Sequence, residues 1–135
     1  MIKATKNQLG VTTNPYQTDA LKVLCVCSAG ILRSPTMANA LHAKFGYNTR
    51  SAGSCKDFAL IPVSEALIYW ADEIVVAEPQ NMHEMETDYF DILSGKTVHC
   101  LNLPDDYQWN DSMLRELVII KYRDCVSGVA PSLES

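Results

Sequence analysis

A cysteine and an arginine stand six positions apart in the run Cys27-Ser28-Ala29-Gly30-Ile31-Leu32-Arg33-Ser34-Pro35. A thiolate is a strong nucleophile, and a guanidinium is a planar fork that grips two oxygens of a phosphate. The residues between them are short enough to curl their backbone amides around a tetrahedral anion. Gly30 is free to take positive φ where such a loop turns its amides inward. Ala29, Ile31 and Leu32 would contribute through their backbone alone. Ser34 and Pro35 read as the N-cap and first residue of a helix, whose N-terminus favours anions. The same amides and Arg33 favour the thiolate of Cys27, and the Ser34 hydroxyl is placed to assist its departure. This is chemistry for attacking phosphorus through a phosphocysteine intermediate. A leaving alcohol or phenol then needs a proton from a second group outside the loop. Asp105, in the segment Pro104-Asp105-Asp106-Tyr107, is the expected acid, with Asp106 as its competitor. Tyr107 would stack on an aryl phosphate.

The surrounding pattern supplies elements to hold these groups. Leu21–Cys27 is a nearly continuous apolar run, as expected of a strand buried on both faces. A helix follows from Ser34-Pro35, with Met37, Leu41 and Phe45 as its stripe and Gly46 at its end. A second strand over Tyr47–Ala52, a helix over Pro62–Ala71 and a third strand over Glu73–Ala77 come next. A helix from Pro79 to about Asp91, a fourth strand over Lys96–Leu101 and a last helix capped by Asn110 or Asp111 complete the series. That last helix carries Met113, Leu114, Leu117, Val118 and Ile120 as its apolar stripe and reaches about Asp124. Strands alternating with helices predict an α/β fold, with a four-stranded parallel sheet between two helical layers. In such sheets ligands bind at the carboxyl ends of strands, where both Cys27 and Asp105 fall. Residues 1–20 read as a flexible extension, 21–126 as one domain and 127–135 as a tail.

Composition narrows the function. The chain has 135 residues, 47% of them hydrophobic, which suits one domain with a substantial core. A net charge of -5 argues against a general nucleic-acid binder. No apolar run is long enough to span a membrane, and the first residues lack the pattern of a secretory signal. Five cysteines, an odd number, argue against a secreted disulfide framework and suit a reducing cytoplasm. Their spacing does not suit zinc, and neither a metal nor a cofactor is expected. Cys25 reads as a buried core residue, with a redox partnership as the alternative. Cys55, Cys100 and Cys125 read as structural, and Trp70 as core. Glu84, Glu86, Asp88 and Asp91 read as a solvated face.

The segment Cys27 to Pro35 resembles the loop of the low-molecular-weight protein tyrosine phosphatases, Cys-x5-Arg-Ser-Pro. Ser51-Ala52-Gly53 and the late Asp-x-Tyr fit that family too. Trp70-Ala71-Asp72, Glu78-Pro79 and Leu103-Pro104-Asp105-Asp106-Tyr107 are similar to a small bacterial branch of it. The resemblance covers about residues 21–124. It implies flavodoxin-like winding, no metal, and phosphorylated proteins or small aryl phosphates as partners. It assigns the nucleophile to Cys27, the phosphate clamp to Arg33 and the general acid to Asp105. Three positions depart from the family pattern. Gly30 replaces an Asn that helps to pin the loop, Leu32 replaces a second loop cysteine, and Asp106 replaces a Pro. Two other activities use a similar loop. The phosphocysteine carriers of sugar phosphotransferase systems resemble Cys27–Gly30, but Arg33 and Asp105 favour hydrolysis over carriage. Arsenate reduction would need a cysteine relay, which Cys100 and Cys125 do not suggest by position.

Overall fold

The computed structural model describes residues 20–29, 32–55, 57, 59–104 and 110–128. Four strands, β1 (Lys22–Cys27), β2 (Asn48–Gly53), β3 (Glu73–Val76) and β4 (Thr97–Cys100), alternate with four helices. The helices are α1 (Arg33–Phe45), α2 (Glu65–Trp70), α3 (Pro79–Leu93) and α4 (Ser112–Ser127). The sheet is parallel throughout, in the order β2-β1-β3-β4.

The period-2 geometry of β1 explains the layers. Val23, Cys25 and Cys27 face a cluster built with Met37 and Leu41 of α1 and Leu114, Val118 and Tyr122 of α4. Leu24 and Val26 face the opposite cluster, with Leu67 and Ile68 of α2 and Met85 and Leu93 of α3. Both faces of the strand are thus sealed, which is why its sequence reads as a continuous apolar run. Among the described residues no helix is long and apolar enough to cross a membrane.

The expected elements are present, with shifted ends. Helix α1 begins at Arg33, with Leu32 in the cap position, so Ser34 is not its N-cap. The Ser34 amide, one of the orphan donors of a first helical turn, is taken by sulfur instead. Helix α2 begins at Glu65, capped by the Ser64 hydroxyl, rather than at Pro62. The reason is tertiary: Pro62 bridges to Gly53, and the Val63 amide donates to the Gly53 carbonyl at 2.9 Å. Helix α4 is capped by Asp111 and runs three residues past Asp124. Its buried stripe is Leu114, Val118 and Tyr122, while Met113 and Ile120, expected in the core, are exposed. Trp70 is half-buried, and the Arg50 guanidinium lies 4.2 Å from its ring centre.

β1 is the first strand among the described residues and an inner strand of the sheet. The chain adds β2 on one side of it and then β3 and β4 on the other. The order therefore reverses between β1 and β3, the kind of switch point at which open parallel sheets bind ligands, beyond the carboxyl ends of the strands. The loop after Cys27 and the start of α3 meet there.

Candidate active site

Cys27 ends β1, and its side chain is almost enclosed, at 4% exposure. The Ser34 amide donates to Cys27 Sγ at 3.3 Å, and the thiol lies 3.4 Å from Ser34 Oγ. In the thiolate form the Ser34 hydroxyl is the donor, so the sulfur faces two donors from the first turn of α1. Cys25, two residues earlier on the same face, is fully buried. Burial, with a smaller contribution from neighbouring Cys27, pushes its thiol well above the ordinary value of 9.0.

Arg33 is 5% exposed, and its guanidinium is held from two sides. It donates to Glu78 Oε2 at 2.9 Å and to the Leu103 carbonyl at 3.2 Å. Glu78 follows β3 and Leu103 follows β4, so the end of each strand fixes one nitrogen of the fork. A guanidinium held in this way keeps its plane with little further loss of side-chain freedom.

The rim of the loop extends the sheet. The Ser54 amide donates to the Cys27 carbonyl at 2.8 Å, and the Cys55 amide donates to the Ser28 carbonyl at 2.9 Å. Gly53 allows this approach. A Cβ there would lie 2.7 Å from the Ser28 carbonyl oxygen and 2.8 Å from the Ala29 carbonyl carbon. Ser28, Ala29 and Leu32 are half-buried along the described part of the loop. Gly30 and Ile31 lie outside the described residues, as do Asp105, Asp106, Tyr107 and Trp109.

The segment carrying Asp105 has both of its described ends tied to this neighbourhood. Before it, the Leu103 amide donates to the Ala77 carbonyl at 2.8 Å, and the Leu103 carbonyl accepts from Arg33. After it, the Asn110 amide donates to Thr36 Oγ1 at 2.8 Å. Arg115 donates to the side-chain oxygens of both Asn110 (2.8 Å) and Asn39 (3.2 Å). Asn110 takes a φ of 58°, a left-handed turn that Asn tolerates better than most residues.

Some residues at the site were not anticipated. Glu84, expected on a solvated face, accepts from the hydroxyls of Ser54 and Ser28. Asn81, fully buried, donates to both of those hydroxyls. The capping pattern Glu78-Pro79 with Asn81 announced a helix start, but not which loop that start would meet.

The fold has counterparts among solved structures. The tyrosine phosphatase Wzb of Escherichia coli K30, solved with phosphate, is 14% identical, with a TM-score of 0.61 over 81% of this chain and 98% of that one. The tyrosine phosphatase AmsI of Erwinia amylovora is also 14% identical, with a TM-score of 0.61 over 88% of this chain and 99% of that one. The YwlE arginine phosphatase of Geobacillus stearothermophilus is 17% identical, with a TM-score of 0.58 over 84% and 96% respectively. No protein-family model matches the sequence, and no curated protein matches it. The chain therefore has the four-stranded α/β fold of these bacterial phosphatases, in agreement with the resemblance carried by Cys27–Pro35.

Proposed function

We propose that the protein hydrolyses phosphate monoesters through a phosphocysteine intermediate on Cys27. Phosphotyrosine in proteins and small aryl phosphates are the substrates in view. The observation that supports this most is the Cys27 sulfur, set at a strand end and facing the amide and hydroxyl of Ser34. A buried structural cysteine needs no such donors. The phosphatases that share the fold support the same reading.

In the first step the Cys27 thiolate attacks phosphorus. The S–P bond forms, the bond to the leaving oxygen breaks, and Asp105 protonates that oxygen. Loop amides and Arg33 hold the phosphoryl oxygens as charge builds on them. In the second step water attacks phosphorus, Asp105 takes its proton and the S–P bond breaks. The sulfur leaves as a thiolate, eased by the Ser34 hydroxyl, and inorganic phosphate departs. Tyr107 would hold an aryl leaving group. Every group in this scheme comes from the chain, so no metal or cofactor is needed.

The test is hydrolysis of p-nitrophenyl phosphate with EDTA present, from about pH 5 to 8. The wild type is expected to turn over and Cys27→Ser to be inactive while still binding phosphate. Absence of turnover in the wild type, or equal turnover in Cys27→Ser, would overturn the proposal.

A further inference from the structure

We propose that Asn81 and Glu84 of α3 position the phosphate loop from outside it, acting through the hydroxyls of Ser28 and Ser54. This rests on reading the Cys27 loop as a phosphate site. A fully buried amide side chain must satisfy its polar atoms within the protein. Asn81 does so completely. Its Oδ1 accepts from the Glu78 amide at 3.0 Å, and its Nδ2 donates to Ser28 Oγ and Ser54 Oγ, each at 3.2 Å. The first of these bonds belongs to the capping box of α3. The other two leave the helix altogether and reach residues beside Cys27, which a capping role does not require.

Each serine hydroxyl, having accepted from Asn81, still has its own proton to place. Both point it at the same atom, Glu84 Oε1; Ser54 makes the closer approach, and Ser28 lies at 3.5 Å. Gln80 Nε2 donates to the other carboxylate oxygen at 3.0 Å. The Asn81 amide and the two hydroxyls thus form one linked network, in which Ser54 Oγ also lies 3.5 Å from the Cys27 carbonyl oxygen, and a satisfied network of this kind rigidifies what it touches. It touches the first residue after the nucleophile, Ser28, and the residue whose amide binds the Cys27 carbonyl, Ser54. The loop is thus gripped at its start by side chains from another element. Asn81 and Glu84 touch neither sulfur nor phosphate; they are positioning residues.

The test reads the loop without requiring turnover. The wild type, Asn81→Ala, Ser54→Ala and Glu84→Gln are alkylated with iodoacetamide across a pH series, with and without inorganic phosphate. Modification of Cys27 is followed by peptide mass. Asn81→Ala and Ser54→Ala are expected to raise the pH midpoint of alkylation. They should also weaken protection by phosphate by about tenfold to a hundredfold, the scale expected of a small misplacement at a binding site. Glu84→Gln keeps an oxygen that accepts from Ser54 but loses the charge and turns an amide donor toward Gln80, so it should move both readouts in the same direction by a smaller amount. Ser54→Ala leaves the α3 cap intact, so it carries the test if Asn81→Ala fails to fold. Wild-type midpoints and wild-type protection in both alanine variants would overturn the proposal. A wild type that phosphate protects but that does not hydrolyse p-nitrophenyl phosphate would sink the hydrolase reading and leave this one standing. A wild type that phosphate does not protect at all would overturn both.

Discussion

Arg33 is where a single side chain settles most at this site. Glu78 and Leu103 each hold one terminal nitrogen and so fix the plane of the fork. Arg33→Lys keeps the charge but loses the fork, and is expected to reduce kcat/KM by about a hundredfold or more. Glu78→Gln keeps a weaker acceptor and should cost less, on the order of tenfold, chiefly through phosphate affinity. Equal rates for Arg33→Lys and wild type would remove the fork from the mechanism. The acid is open to a similar comparison. Asp105→Asn should slow substrates with poor leaving groups more than p-nitrophenyl phosphate, whose phenolate departs readily. If Asp106→Asn gives that pattern instead, the acid is Asp106. At this scale the sequence was legible where chemistry is contiguous: Cys27, Arg33 and Ser34 sit in one short run. It was opaque where partners are distant. Asn81 and Glu84 meet Ser28 from more than fifty residues away, and nothing in a helical charge pattern tells which turn faces a loop.

Among the elements, the end of β2 lies so close to the loop that Gly53 has no room for a side chain. Gly53→Ala would drive a Cβ to 2.5 Å from Ala59 Cβ and into the backbone of Ser28 and Ala29. Backbone cannot yield as a flexible side chain does, so the variant should lose about 1–3 kcal/mol of stability and most of its activity. Thermal unfolding and turnover together check this, and unchanged values for both would mean that the loop has room to move. The hold of Thr36 on Asn110 is weaker. Thr36→Val removes both the acceptor of the Asn110 amide and the donor to the Leu32 carbonyl (2.9 Å) without changing shape. It should cost about 1 kcal/mol per lost bond and slow turnover of good and poor leaving groups alike, read by thermal unfolding and kcat/KM. Element types were legible from periodicity, and the strand order followed the expected winding. Their ends were not. Where α2 starts depends on Pro62 and Val63 continuing the partnership of Gly53, and the α4 stripe depends on Tyr122 filling the space beneath the sheet.

For the whole molecule, two buried acids set an alkaline limit. Burial pushes up the Cys25 thiol, and burial together with hydrogen bonds to Tyr47 and Glu73 pushes up the Tyr122 phenol. In the unfolded chain these groups release protons near their ordinary values of 9.0 and 10.0, while the folded state retains them. The unfolded state then binds fewer protons, so stability falls as pH rises. The contribution is fully present below pH 9 and is lost progressively above it. Denaturant midpoints should decline from there upward, with a shallower decline in Tyr122→Phe. A flat profile to about pH 11 would show that neither group is held neutral.

The position of Cys27 on β1 has a consequence for the order in which the protein is made. Synthesis runs from the N-terminus, so this thiol leaves the ribosome before Glu78, Asn81 and Leu103 have been joined to the chain. Parallel pairing across such separations is slow and waits for the later strands. Cys27, the proposed nucleophile, therefore spends its early life as an ordinary exposed cysteine, open to any oxidant or electrophile nearby. It is enclosed only when β3, β4 and α4 have arrived, and the guanidinium beside it is fixed once Glu78 and Leu103 are in place.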